Sequence, residues 1–268
     1  MTHGRDPDYL RKEQYATDGN LRARIAVHER FSTSPMGFPR WMFNVVLEAP
    51  AEAKVLEVGC GNGQIWAKCA TLVPPGWELV LTDLSKGMVD QARRRLDTLP
   101  RAPGFGVADV RSLPFPEGRF DLVLANYMLY HVPDLQEGVR ELARVLRPGG
   151  RLLAATNGQG HMREMDELEQ LLGTDPDREH LSFTCENGGE VLGCSFRSVR
   201  FLPYTDSLEI TEAEAAVRYV LSRVPKETAT PEALSALRRE VERRIDGGAG
   251  LLHVTKDTGI FVASEPIR

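Results

Sequence analysis

The chain has 268 residues and only four cysteines, Cys60, Cys69, Cys185 and Cys194. No two of them stand in a CxxC spacing and no histidine pair accompanies them, which argues against a zinc site and leaves no disulfide framework. Small buried apolar side chains are the expectation for all four. The chain also lacks any apolar run near the ~18 residues that a membrane span requires. Its start, MTHGRDPDYLRKEQ, is polar and charged, unlike a signal peptide, so a cytoplasmic protein with no membrane partner is expected. A basic excess is missing too: 33 Lys and Arg stand against 38 Asp and Glu, a net charge of −5, and nucleic acid is not expected as a partner. Repeats and low-complexity tracts are absent. With 42% hydrophobic and 26% charged residues, the composition is that of a globular chain with a sizeable core, long for one average domain but ordinary for an α/β domain with an elaboration.

The most informative stretch is KVLEVGCGNG, residues 54–63. A short apolar run, interrupted only by Glu57, leads into glycines at 59, 61 and 63, and the following QIWAKCATL has helical spacing. Glycine lets the backbone take positive φ and approach a ligand, and a helix N-terminus then faces it. A carboxylate at the exit of a buried strand is costly unless something pairs with it, so Glu57 asks for a partner. A dinucleotide fingerprint is GxGxxG; here Ile65 stands where no glycine is wanted, which disfavours the pyrophosphate version and a nicotinamide-dependent oxidoreductase. The pattern ExGxGxG resembles the first motif of class I S-adenosylmethionine-dependent methyltransferases, whose glycine loop passes under the amino-acid half of the cofactor.

From residue 51 on, strand-like runs alternate with helical patterns, the signature of an α/β protein with a parallel sheet covered on both faces. The runs are Lys54 to Val58, Trp77 to Asp83, Gly104 to Asp109, Phe120 to Asn126 and Arg151 to Thr156. Lys86 to Leu96 and Leu135 to Leu146 read as crossover helices, the second stopped by ArgProGlyGly. Ser198 to Tyr204 and Gly259 to Ser264 are two further strands. Between them lie helical stretches at Ile210 to Val224 and Pro231 to Ile245, the second with ThrPro as cap and first turn. An insertion of this length, about 207–250, reads either as a helical lid or as an extension of the core. Residues 1–50 form an N-terminal helical cap, with Tyr9 to Arg30 and Trp41 to Leu47 as helices, and 51–268 the main domain.

Two more acidic residues end strands. Asp83 suits acceptance of hydrogen bonds from both ribose hydroxyls, and Asp109 suits the adenine amino group, with the Val110 amide on a ring nitrogen and Leu84 and Val110 sandwiching the base. The resemblance then covers roughly residues 50–157, through LEVGCGNG, LTDLSKGMVDQARRRL, ADVRSLPFPEGRFDLVLANYMLYHV and LARVLRPGGRLLAAT. It is to the branch of class I methyltransferases that includes the ubiquinone and menaquinone biosynthesis enzymes and many that methylate small molecules. It implies a Rossmann-like seven-stranded sheet of order 3-2-1-4-5-7-6, the seventh strand antiparallel, with S-adenosyl-L-methionine as cofactor. Asp83 and Asp109 inherit cofactor roles, Glu57, Gly59, Cys60 and Gly61 belong to the loop, and Asn126 stands where the fourth strand meets the methionine moiety. Residues 126–129 read AsnTyrMetLeu, not the AsnProProTyr of enzymes that methylate exocyclic amines of DNA bases or glutamine.

A sulfonium carries an activated methyl group, so such an enzyme has mainly to exclude water and hold a nucleophile in line. If the nucleophile must lose a proton, His131, just after the fourth strand, is the candidate base; capping the next turn is its structural alternative. Tyr127, grouped with His131 as a catalytic candidate, and Tyr130 flank the same loop, as substrate contacts or as packing. In the N-terminal zone, Tyr15, Arg24, His28 and Trp41 are placed to close over the ligands; a solvated helix face accounts for most of these, with Tyr15 the exception, assigned to the cofactor. The expected activity is methyl transfer to a small-molecule acceptor, alone or as a homo-oligomer. A catalytically silent cofactor-binding module and a protein-modifying methyltransferase stay open as alternatives.

Overall fold

A computed structural model describes residues 19–99, 101–174, 182–225 and 228–268. Among them run strands β1 (Lys54–Val58), β2 (Glu78–Asp83), β3 (Gly104–Val107), β4 (Phe120–Asn126), β5 (Leu146–Asn157), β6 (Phe196–Pro203), β7 (Ser207–Ile210), β8 (Leu252–Thr255) and β9 (Thr258–Pro266). Helices are α1 (Gly19–Phe31), α2 (Phe38–Val46), α3 (Gln64–Lys68), α4 (Lys86–Arg95), α5 (Leu135–Val145), α6 (Arg163–Gln170), α7 (Gly188–Gly193), α8 (Ala213–Leu221) and α9 (Pro231–Gly247).

Seven strands form one sheet in the order β3-β2-β1-β4-β5-β9-β6, and β9 alone is antiparallel to its neighbours. This is the Rossmann-like order that the resemblance implies. The seventh place falls to β9 because β7 and β8 leave the sheet and pair with each other, Ser207 opposite Thr255 and Ile210 opposite Leu252.

Alternation along the strands explains why helices cover both faces. Leu56, Val123, Ala125, Leu152, Ala154, Phe261 and Ala263 point to one apolar cluster, shared with Val139 and Leu142 of α5. Their neighbours Val55, Leu122, Leu124, Leu153, Ala155, Ile260 and Val262 point to another, shared with Met42, Phe43 and Val46 of α2 and with Trp66 of α3. A strand buried on both sides loses the apolar/polar alternation of a one-sided sheet, which is why these segments read as continuous apolar runs. The helices begin where side chains cap them: Ser85 Oγ accepts from Met88 N–H at 3.4 Å, Asp134 from Glu137 N–H at 3.0 Å and Thr230 from Ala233 N–H at 3.2 Å.

Several expected boundaries move. The third strand stops at Val107, and Ala108 to Val110 leave it as a loop anchored by Ala108 N–H on Asp83 C=O at 3.1 Å. ArgProGlyGly does stop α5, but the chain enters β5 at once, across a register shift between Phe120 and Leu122. QIWAKCATL makes only the short α3 and then a 3-10 turn, Ala70–Leu72. Of the cysteines, Cys60 and Cys69 are buried as expected, but Cys185 is half-buried and Cys194 exposed.

The remaining elements make a cap with its own apolar centre. Val27 and Phe31 of α1, Met165 and Leu168 of α6, Leu208 and Ile210 of β7, Val217 and Val220 of α8, Leu237 and Val241 of α9 and Val254 of β8 pack together. The N-terminal zone is thereby divided, since α1 joins the cap and α2 docks on the sheet. The insertion is built on the β7–β8 ribbon as well as on helices. Among the described residues no helix is long and apolar enough to cross a membrane.

Candidate active site

β1 delivers Glu57 and then the glycine loop. Gly59 has φ of +71°, and a Cβ there would lie 2.8 Å from Cβ and Cγ of Met128, so glycine is required by both backbone and space. Gly61 has φ of +54° and open space where a Cβ would stand, and its N–H donates to Asp83 Oδ2 at 2.9 Å. The partner that Glu57 requires is twofold: Trp66 Nε1 donates to Oε2, and Asn126 Nδ2 to Oε1 at 2.7 Å. Burial outweighs these bonds and pushes the Glu57 carboxyl up to about 7. Asn126 Oδ1 is buried and has no hydrogen-bond partner.

At the end of β2, Asp83 accepts from Gly61 N–H and, through Oδ1, from Ser85 N–H at 2.8 Å. Burial raises its pKa and the two amides oppose that. Asp109 follows β3 and is gripped by Arg111, whose Nη2 donates to Oδ2 at 2.6 Å and whose backbone N–H donates to Oδ1 at 2.9 Å. A cofactor contact by Asp109 therefore has to share a carboxylate already engaged by a guanidinium. Cys60 is buried, and burial drives its thiol far above the ordinary range, so it is no nucleophile.

Past β4, Tyr127 takes φ of +53°, a left-handed conformation that costs free energy in a bulky residue. Its hydroxyl lies 2.9 Å from Thr258 Oγ1, which itself donates to Thr156 C=O at 2.9 Å. Because a carbonyl only accepts, the Thr258 hydrogen is committed there and Tyr127 is the donor to Thr258. Burial holds the phenol well above its ordinary pKa, and the side chain forms part of the cavity wall with its hydroxyl turned to Thr258. His131 ends the 3-10 turn Leu129–His131, its ring edge-on to Tyr130 at 4.6 Å.

Except for Trp66, which stands behind Glu57, these side chains line one cavity of about 980 Å3, which also receives Leu84 and Val110. Every residue assigned from the sequence to the cofactor or to catalysis is brought to it except Tyr15, which lies outside the described residues. Arg24 and His28 reach the cavity from α1, whereas Trp41 does not and packs on Phe38 and Tyr204. The far end, under the cap, is lined by residues that the sequence reading does not name: Asn157, His161, Tyr219, Arg223, Lys256 and Thr258. Only Asn157 and His161 carried a signal, their place at the carboxyl end of a parallel strand, where ligands bind in open α/β sheets.

A family described as a methyltransferase domain matches residues 56–154. The match covers just over a third of the chain and runs from β1 to β5. The chain is 39% identical over 107 residues to a ubiquinone/menaquinone biosynthesis C-methyltransferase UbiE of Hahella chejuensis, covering 38% of this chain and 42% of that protein. A 37.1 kDa protein in transposon TN4556 of Streptomyces fradiae is 38% identical over 107 residues, 40% of this chain and 31% of that one. The chain thus spans less than half the length of these curated relatives. Among solved structures, phosphoethanolamine N-methyltransferase 2 of Haemonchus contortus in complex with S-adenosyl-L-methionine superposes with a TM-score of 0.61 at 20% identity, over 100% of this chain and 61% of that one. The [4+2]-cyclase SpnF superposes with a TM-score of 0.52 at 19% identity, over 85% of this chain and 82% of that one. One fold carries a methyltransferase and a cyclase, so the activity has to be argued from the site.

Proposed function

We propose that the protein is an S-adenosylmethionine-dependent methyltransferase that passes the methyl group to a small-molecule acceptor by direct in-line displacement. The observation that carries this reading is the single cavity of about 980 Å3 running from the glycine loop to the underside of the cap. It is large enough for a cofactor and a small acceptor together. A protein substrate would call for an open groove, and here α1 and the cap elements cover the far end.

The residues at the glycine end fit the cofactor. Gly59 and Gly61 leave the backbone open to approach, Asp83 is held with its carboxylate at the cavity, and Asn126 Oδ1 is a buried acceptor awaiting a donor such as an ammonium group. Bound there, the cofactor would supply an activated methyl on a cationic sulfonium. Asp83 accepts from the ribose hydroxyls, Leu84 and Val110 enclose the adenine, and Glu57, fixed by Trp66 and Asn126, orients Asn126 toward the amino-acid end. His131 takes the proton from a hydroxyl or ammonium acceptor, and Tyr127, tied to Thr258, keeps the wall rigid and dry.

C-methylation by the matched relatives does not extend to this chain's acceptor end. Arg24, His28, Asn157, His161, Tyr219, Arg223 and Lys256 all lie outside the matched residues 56–154. Titration calorimetry of the folded protein with S-adenosylmethionine and S-adenosylhomocysteine tests the reading. Saturable binding of both at one site is expected; no binding of either overturns it.

A further inference from the structure

The charges lining the cavity are sorted by end. Glu57, Asp83 and Asp109 are at the glycine end, together with Arg111, paired with Asp109, and Lys68, paired with Glu29. Under the cap the lining charges are Arg24, Arg223 and Lys256, whereas the carboxylates that balance two of them stand behind the lining: Asp206 on Lys256, and Asp166 and Glu169 on Arg223 at 2.7 and 3.1 Å. Glu29 also lines the cavity, but it is turned to Lys68 and to Gln64 of α3.

Both paired cations keep donors for a ligand. Arg223 spends Nε and Nη1 on its carboxylates, which leaves Nη2, and Lys256 spends one of three N–H groups on Asp206. Between them stands His28, its ring 6.3 Å from that of His161 and 6.2 Å from that of Tyr219, with Nδ1 buried and without a hydrogen-bond partner. Burial first, and then the charge of Lys256, against that of Asp206, hold His28 down to about 3, so the imidazole beside these cations is neutral. An apolar acceptor would leave these buried polar groups unanswered, and a cationic one would add to the charge already there.

We propose that the cap end is the acceptor site and that it takes a small acceptor bearing an anionic group, a carboxylate or a phosphate, held by Lys256 and Arg223 against the His28–His161 pair. This rests on the methyltransferase reading above, because it is that reading which makes the cap end the acceptor's place. Lys256 and Arg223 then present their remaining donors to the anionic group of the acceptor, away from the carboxylates Glu57 and Asp83.

The test uses the full chain, first titrated with S-adenosylhomocysteine; failure at that step overturns the cofactor reading rather than this one. With that ligand saturating, histidine ring resonances are followed at pH 7.5 as inorganic phosphate, benzoate, benzyl alcohol or benzylammonium is added. Saturable shifts of His28 and His161 are expected with phosphate or benzoate, at concentrations about tenfold or more below those needed for benzylammonium. A response to phosphate alone or to benzoate alone names the anionic group; no response to either anion, or equal responses to anion and cation, overturns the proposal. The double variant Lys256→Gln, Asp206→Asn removes the buried pair without leaving a lone charge. It is expected to weaken anion binding about tenfold or more while S-adenosylhomocysteine affinity holds, and unchanged anion affinity contradicts the proposal. Should the double variant not fold, the wild-type series decides.

Discussion

Leu124 in the sheet and Leu237 in the cap are equally dry, both 0% exposed, yet the two centres they belong to are assembled differently. Most of the sheet's apolar residues come from one stretch, from Ala53 to Ala155, with β9 and α2 added. The cap draws on α1, α6, the β7–β8 ribbon, α8 and α9, segments scattered from residue 19 to 255 and each unable to bury its apolar face alone. The connecting segments between cap and sheet carry polar contacts beside the aromatic ones of Phe38, Trp41 and Tyr204. Asp206 accepts from Ser32 Oγ at 2.8 Å and Ser34 N–H at 3.0 Å, and Lys256 lies over the Tyr204 ring at 5.5 Å. Segments with fewer shared apolar contacts open more readily than the core they cover, as a lid over a ligand cavity must.

The comparison breaks most visibly under truncation. Leu124→Ala is expected to destabilise the whole molecule by about 2 to 5 kcal/mol, read from denaturant unfolding. Leu237→Ala removes the same side chain from the cap, and hydrogen exchange should rise over 207–255 while β1, β4 and β5 stay protected. Equal loss of protection in both regions would show one cooperative unit instead of two.

Glu57 gives the sheet a pH dependence opposite in sign to that of the cap, where burial holds His28 down to about 3. Its folded carboxyl titrates at about 7 against an ordinary 4.5, so the native state holds the proton more tightly between those values. The contribution to stability is full below about pH 4.5 and is lost as pH rises through about 7, worth up to about 3 kcal/mol. Glu57→Gln should flatten this slope in unfolding measured from pH 5 to 8; an unchanged slope would mean that the carboxyl is not raised.

Asp83→Ala should weaken S-adenosylhomocysteine binding by about 1 to 3 kcal/mol, since charged hydrogen bonds are lost at the glycine end alone. Unchanged affinity in calorimetry would remove Asp83 from the cofactor site. The smallest effect is expected at Arg30, half exposed and paired with Glu212 between α1 and the start of α8, where Arg30→Ala should change stability by no more than about 1 kcal/mol.

The same division governs what the residues alone could show. Gly59, Gly61 and Asp83 act through local backbone geometry, so their spacing carries the signal, and the sheet order follows from apolar runs long enough to recognise. β7 and β8 are four residues each, SLEI and LHVT, too short for alternation to stand out, and they pair across some forty residues of intervening helix. Lys256 and Arg223 become site residues only when the cap closes, through partners as distant as Asp206 and Asp166. Tyr127 shows the opposite case: its position beside the site was legible, but the Thr258 partner that holds its hydroxyl comes from β9.

Hydrogen–deuterium exchange of the full chain with and without S-adenosylhomocysteine tests the central claim, that the glycine end of the cavity is the cofactor's and the cap end is not. Slowed exchange at residues 57–63, 83–85 and 108–111, with little change at 157–162 and in the last turn of α8, is the predicted result. Protection confined to the cap, or none at 57–63, would contradict the account.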